Sequence, residues 1–590
     1  MSESNAVRDR LDRLRVNMKK AGVYAYYIPT SDFHASEYTN AYFKAREFFS
    51  GFTGSAGDLL VTYDDALLWT DGRYFIQAEK ELEGSGIKLM RSGETGVLTI
   101  EQYLKKNLKK DDILGFDGRC VTTARAESLK KSVPSHRLKY KKDLTEGIFK
   151  RPAFPCSEIE TISDTISGES STDRMAKLRG ELRKKGCDAI FISSLEETAY
   201  LFNIRAQDAE YTPVAMSFAY ITQEKAYIFL KNEKADTGYA GSIVMSYDET
   251  EDFLKSGRIS GRVLIDRSSV NYRYYRLIKK RAEIVFGTSP VQMMKAVKND
   301  IELALIKRIY HKDSLQLTRF IRWITTADTE ETEMSAVDKL LEFRKKIPVF
   351  NGLSFATIAA YADNAAMIHY EPSREHDRKI EKKGLLMVDS GGQYTGGTTD
   401  VTRTIVMGEL TDEEKKAFTL TVCGMLRIRY AHFIKGTTGV NLDILAREKM
   451  WKQGIDYRHG TGHGVGYMLS VHEGPQAIRW KISGNTAELK PGMLVSDEPG
   501  IYKEGCFGVR TENILLVEKD VKTDDGEFYR FESLTMVPID DRGMDKDIMS
   551  SDEIQMYERY QREVARALEK DLDQEEMHWL RKYSGIEQED

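Results

Sequence analysis

The feature that most limits what this chain can fold into is a repeat. Arg10-Leu-Asp-Arg-Leu14-Arg15-Val-Asn-Met18-Lys19-Lys20-Ala-Gly22 returns as Arg174-Met-Ala-Lys-Leu178-Arg179-Gly-Glu-Leu182-Arg183-Lys184-Lys185-Gly186. Positions 11, 14 and 18, and again 175, 178 and 182, are apolar and sit three and four apart, the stripe of an amphipathic helix. Each helix closes on basic residues and a glycine suited to a left-handed cap. Each copy then runs into a β-rich segment, 23–28 and 189–192, of the kind that forms a buried strand. Two copies are too few for a solenoid, so the repeat predicts a duplicated α/β domain. Domain I is expected at 1–157 and domain II at 158–298, with the Ser-, Thr- and acid-rich stretch 157–172 as a linker. Helical spacing through Ile301, Leu305, Ile309, Leu317, Phe320 and Ile324 predicts a helix over 300–326 that opens a third domain, 299–548. The remainder, 549–590, reads as an exposed amphipathic helical tail without a catalytic role.

Composition excludes several classes. The chain has 590 residues, with 87 Lys plus Arg against 92 Asp plus Glu, a formal charge of only −5. That balance argues against a nucleic-acid binder. The longest uncharged stretches, 347–362 and 459–472, are too short and too polar to cross a bilayer. The start lacks the apolar segment of a secretory signal, so the expected location is the cytoplasm. Cys120, Cys156, Cys187, Cys423 and Cys506 are scattered without metal-ligand or redox spacing and read as reduced thiols.

The acids and histidines of the third domain are not placed as on an ordinary surface. Gly384-Leu-Leu-Met-Val-Asp389 reads as a strand ending in a carboxylate, and after a Gly-rich turn a second β-rich run starts at Asp400. If the two pair as a hairpin, both carboxylates come side by side and need a positive partner. Taken alone, this element is better explained as a loop turn capped by Asp, the commoner use of Asp beside Gly. His459-Gly-Thr-Gly-His463-Gly-Val-Gly, followed by His472, crowds imidazoles among glycines that let the backbone approach a ligand. A regular helical zinc motif does not fit so many glycines. Glu498 precedes Pro499 and is therefore extended at a strand end. Period-2 alternation along 507–517 places Arg510 and Glu512 on one face with Ile514 and Leu516, where Arg510 pairs with Glu512 or Glu512 binds a metal. Two Asp, two Glu and one Gly-flanked His make an oxygen-rich donor set that suits Mn²⁺ best, with Zn²⁺ or Co²⁺ also accommodated. Four carboxylates call for two divalent ions, which together generate a hydroxide near neutral pH.

These motifs resemble the Xaa-Pro aminopeptidases (aminopeptidase P) of the pita-bread metallopeptidases, in their long, three-domain cytosolic form. In domain I the resemblance rests on Tyr27-Ile-Pro-Thr-Ser-Asp-Phe-His34, Gly51-Phe-Thr-Gly-Ser-Ala-Gly57 and Trp69-Thr-Asp-Gly-Arg73. It implies an α/β (α+β) fold of two creatinase-like domains followed by a pita-bread catalytic domain, assembled as a homodimer. It implies five metal ligands, Asp389, Asp400, His463, Glu498 and Glu512, with Asp400 and Glu512 bridging two ions. It places His369 beside the reacting carbonyl, His459 and His472 as substrate contacts that shuttle protons, and Arg510 and Arg73 among the substrate-binding residues. The implied reaction removes the N-terminal residue from peptides with Pro at the second position, using a metal-bridging hydroxide and Glu498 as general base and then acid.

The nearest alternative is prolidase activity on Xaa-Pro dipeptides, which shares the same ligands. Methionine aminopeptidase is disfavoured by the long segment ahead of the catalytic domain, and creatinase-like chemistry by the full ligand set. A non-enzymatic pita-bread binding module is disfavoured because no ligand is missing.

Overall fold

The computed structural model describes residues 3–327, 330–482 and 486–586. The chain divides into two units, 1–292 and 293–590. The first contains both copies of the repeat. Helix α1 (Glu3–Ala21) buries Leu11, Leu14 and Met18, and α2 (Ser171–Lys184) buries Met175, Leu178 and Leu182. Gly22 and Gly186 follow with φ of 59° and 62°, the left-handed cap expected at both ends.

The duplication extends to the sheets. The first comprises β1 (Ala25–Pro29), β2 (Asp58–Thr62), β3 (Ala66–Thr70), β4 (Lys88–Arg91), β5 (Leu114–Gly115) and β6 (Leu138–Lys139), in the order β4-β3-β2-β1-β5-β6. The second comprises β7 (Ala189–Ile192), β8 (Ser217–Thr222), β9 (Ala226–Leu230), β10 (Ser242–Ser246), β11 (Arg262–Ile265) and β12 (Glu283–Phe286), in the order β10-β9-β8-β7-β11-β12. In both, the repeat strand pairs antiparallel on one side and parallel on the other. Buried His34 joins the copies: its Nδ1 meets the Ser193 carbonyl at 2.8 Å and its Nε2 the Tyr247 hydroxyl at 2.7 Å. The stretch 157–172 is more than a linker, since it carries a short strand (Glu160–Thr161) and a turn of helix (Asp164–Ser167).

The second unit opens with α3 (Asp300–Thr326), capped by Asn299, whose side chain accepts from the amides of Ile301 and Glu302. With α4 (Glu333–Lys345) it covers one face of a three-stranded sheet, β13 (Ile358–Tyr361), β14 (Leu385–Ser390) and β15 (Val401–Val406). Along β14, Leu386 and Val388 face those helices while Met387 packs on the opposite side, so alternation turns Asp389 away from the helices. A four-stranded sheet, ordered β16-β23-β22-β19, comprises β16 (His432–Ile434), β19 (Leu494–Asp497), β22 (Asn513–Thr523) and β23 (Gly526–Ser533). Two hairpins complete the site: β17 (Gly462–Gly464) with β18 (Glu473–Ile478), and β20 (Gly500–Lys503) with β21 (Phe507–Arg510).

Three expectations change. The run 507–517 is not one strand, because it breaks at 511–512 between β21 and β22. Arg510 is not the partner of Glu512, since it turns to Asp389. Nor is the tail exposed. Helix α7 (Ser551–Leu568) buries Tyr557, Tyr560, Val564 and Leu568 against α5 (Asp412–Arg429), which also packs on α6 (Gly439–Trp451), in one core with Phe418, Val422 and Met425. An amphipathic pattern reveals an apolar face, not what covers it.

Behind Asp389 a buried ion pair fixes the strand end. Arg344 from α4 donates to both Asp313 carboxylate oxygens at 2.9 and 3.2 Å and to the Ser390 carbonyl at 3.2 Å, while the Tyr394 hydroxyl donates to Asp313 at 2.6 Å. Arg344→Met strands a buried carboxylate and is expected to lower stability by about 3–5 kcal/mol. Urea denaturation measures it, and a loss under about 1 kcal/mol would contradict the buried pairing.

Candidate metal centre

Strands β14 and β15 pair antiparallel, with Asp389 opposite Thr402. Asp389 and Asp400 flank the Gly-rich turn, which closes tightly because a Cβ on Gly391 would stand 2.0 Å from the Thr399 carbonyl oxygen. His463 arrives on β17, pressed against β19. A Cβ on Gly462 would lie 1.9 Å from the Ser496 carbonyl oxygen, so only glycine allows this approach. That contact also lets the His463 amide donate to Ser496 Oγ at 2.9 Å and the Glu498 amide to the Thr461 carbonyl at 2.8 Å. Glu512, in the break after β21, donates its amide to the Thr402 carbonyl at 3.0 Å and accepts from Thr402 Oγ1 at Oε2, also at 3.0 Å.

Three groups of possible donors result, each with ligand atoms within 4.8 Å of one another: Asp389, Asp400 and Glu512; His463, Glu498 and Glu512; and Asp400, His463 and His472. The first two share Glu512, and Asp400 joins the first to the third. His463 Nε2 lies 3.5 Å from Asp400, 3.6 Å from Glu498 and 4.0 Å from Glu512.

Protonation tests whether a cation fits. His463 Nδ1 meets the Gly464 carbonyl at 2.9 Å, so that nitrogen carries hydrogen and Nε2 faces the carboxylates. Burial alone would lower the His463 pKa, but its bond to Asp400 and the charge of Glu498 override this and push it up to about 9. Glu512 is held well above the usual carboxylate range by burial and by Asp400, Asp389 and Glu498. Burial also raises Asp389 and Glu498. Asp389 Oδ1 is buried without a hydrogen-bond partner. Crowded acids that hold protons, an imidazole nitrogen aimed at them and an orphaned carboxylate oxygen fit divalent cations in the protons' place.

This predicts a pH effect with a definite sign. Each of these groups has a raised folded-state pKa, so it stabilises the metal-free fold at low pH and loses that contribution as pH rises. For His463 the contribution is complete below 6.5 and disappears through about 9. The rise in Tm on adding Mn²⁺ should therefore be larger at pH 8.5 than at pH 6.5 by scanning fluorimetry. An equal or smaller rise at pH 8.5 would contradict it.

Arg510, 2% exposed, spans several groups. Its Nη2 donates to Asp389 at 2.7 Å and to the Ile368 carbonyl at 3.2 Å, and its Nη1 to the Tyr502 hydroxyl at 2.7 Å. It therefore lies beneath Asp389 rather than open to a ligand. His369 follows Ile368, half-buried in a turn. Because Tyr502 accepts from Arg510, its own proton goes to His459 Nε2 at 2.9 Å. His459 Nδ1 meets the Gly460 carbonyl at 2.7 Å, so both ring nitrogens are engaged and the ring is fixed in place. His472 packs edge-on to His463 with ring centres 4.3 Å apart. Thus Asp389, Asp400, His463, Glu498, Glu512, His472 and Arg510 converge, with His459 3.9 Å from Glu498. Arg73 lies in the first unit, where Asp71 holds it at 2.8 Å. Sequence reasoning missed Tyr502 and Thr402, which lie in β-rich runs like any other strand residue.

The domains match known families. The metallopeptidase family M24 model covers residues 304–519, its C-terminal region 527–584, and the creatinase/prolidase N-terminal domain appears twice, at 10–147 and 150–302. Fold and site thus define an M24 metallopeptidase preceded by two creatinase/prolidase N-terminal domains. Relatives include the probable Xaa-Pro aminopeptidase P of Laccaria bicolor, 38% identical over 97% of this chain and 92% of that one. Xaa-Pro aminopeptidase 1 of Dictyostelium discoideum is 34% identical over 98% and 96%. The X-prolyl aminopeptidase of Caenorhabditis elegans, described as a cytosolic enzyme with a di-nuclear active site, superposes with a TM-score of 0.92 at 30% identity, over 98% of this chain and 99% of that one. The chain belongs to the Xaa-Pro aminopeptidase family of the M24 metallopeptidases.

Proposed function

We infer that this protein is a dinuclear metal-dependent aminopeptidase that cleaves the bond between an N-terminal residue and a following proline. The observation that carries the reading is the overlap of the donor groups at Asp400, His463 and Glu512, which suits two adjacent ions rather than one. Asp389, Asp400 and Glu512 would hold one, and His463, Glu498, Asp400 and Glu512 the other. Bound there, divalent ions polarise the scissile carbonyl and lower the pKa of a water towards neutrality. The excess of carboxylates over imidazole favours Mn²⁺, with Zn²⁺ or Co²⁺ accommodated.

The chain's own groups move the protons. Glu498 accepts one from the attacking water and returns it to the leaving proline nitrogen, which has no hydrogen in the peptide and must gain one to depart. His369 donates to the oxygen that becomes negative as water adds. Tyr502 orients His459 through Nε2, and His472 is the second substrate-facing imidazole. Arg510 acts by fixing Asp389 and the backbone before His369.

Reconstituted enzyme should release Arg from Arg-Pro-Pro at least about a hundredfold faster than from Arg-Ala-Ala, the scale of a site built around one backbone chemistry. Equal rates would contradict the proline reading. An Arg-Pro dipeptide separates the prolidase alternative, which requires it to be the better substrate. The reading includes a cytoplasmic homodimer. It is supported by the cytosolic description of the worm relative and by the exposed Trp451–Trp480 edge contact, with exposed Ile444 about two turns from Trp451 on the same helix, apolar side chains suited to meeting a second copy. Sedimentation velocity checks the dimer.

A further inference from the structure

The Glu512 backbone is held by groups outside its own strand. It sits in the gap between β21 and β22, and its peptide is held from β15 instead of by its own strand. The amide donates to the Thr402 carbonyl, and its carbonyl accepts from Arg403 Nη1 at 2.6 Å. Arg403 is 2% exposed, and its six described acceptors are all neutral oxygens: the carbonyls of Thr402, Glu512, Val537 and Pro538, the Asn513 side-chain oxygen and the Tyr560 hydroxyl. A buried guanidinium with neutral acceptors is aimed by the geometry of those acceptors alone. Tyr560, fully buried on α7, accepts from Arg403 Nη2 at 2.7 Å and directs its own hydrogen to the Val537 carbonyl at 2.9 Å and the Asn513 side-chain oxygen at 3.2 Å.

We propose that Tyr560 is a positioning residue for the metal centre, orienting Arg403 and through it the Glu512 backbone. The proposal rests on the reading of Glu512 as a metal ligand. It gives the C-terminal helix a part in ion binding without any contact to the ions. Groups bonded directly to a ligand, as Arg403 is to Glu512, commonly govern affinity by about tenfold to a hundredfold, and Tyr560, acting through Arg403, takes the lower end of that range.

The test uses full-length protein and Mn²⁺, with Kd measured by chelator competition rather than turnover. Tyr557 is the control. It lies on the same helix in the same core, but its hydroxyl bonds to Asp541 at 3.1 Å. Tyr560→Phe should weaken Mn²⁺ binding about tenfold, while Tyr557→Phe lowers Tm comparably and leaves Kd unchanged. Wild-type affinity in Tyr560→Phe, or equal weakening in both variants, overturns the proposal. If Tyr560→Phe does not fold, Arg403→Lys serves instead, keeping the charge but losing the fork, and wild-type affinity there also overturns it. Glu512→Gln separates the two claims: if it binds Mn²⁺ normally, the ligand reading itself falls.

Discussion

Glu498→Gln is expected to lower kcat on Arg-Pro-Pro by about a thousandfold while KM changes by less than about threefold, the signature of a lost proton-transfer group. Glutamine keeps the size and one oxygen donor of the side chain but cannot take up a proton at catalytic pH. Glu498 is suited to this work because burial raises its pKa while His463 opposes that rise. Its backbone is fixed through Thr461, so the substitution should not displace the loop. Presteady-state and steady-state rates with matched metal content measure it. A kcat within tenfold of wild type would remove Glu498 from proton transfer.

The second large effect distinguishes shared from unshared ligands. Glu512 belongs to two of the donor groups and Asp389 to one. Glu512→Gln should therefore weaken both ions, by at least about a hundredfold in affinity, whereas Asp389→Asn should release one and leave the other. Elemental analysis after dialysis against limiting Mn²⁺ reads the two stoichiometries. Identical metal content in both variants would mean that Glu512 does not bridge. Asp389→Asn should also loosen Arg510, whose Nε and Nη2 both donate to Asp389.

Much of the fold can be read from the sequence, for reasons visible in particular residues. The helix at 300–326 carries an uninterrupted apolar stripe and a cap at Asn299, so local preference and packing agree. The repeat announces two related domains because its apolar stripe, basic end and glycine are retained together, and the two sheets share one strand order. At the site, glycines flanking His463 signal a close backbone approach, and the contact of Gly462 with Ser496 is that approach.

What supports the site is harder to read. Thr402, Arg403 and Tyr502 lie in strands where Thr, Arg and Tyr are ordinary occupants, and their partners come from distant parts of the chain. The break at 511–512 leaves the alternation of apolar residues intact on either side, so periodicity does not reveal it. The burial of α7 depends on α5 supplying the opposing face, a pairing that no local pattern encodes.

The central claim is that this cluster of acids and one imidazole works only as a pair of metal sites. Its most direct test is to strip the protein with chelator, add Mn²⁺ stepwise, and follow bound metal and Arg release from Arg-Pro-Pro together. No turnover without metal, and a rate that reaches its plateau as the second equivalent binds, is the predicted result. Full turnover in the presence of chelator, or a plateau at one equivalent, would contradict it.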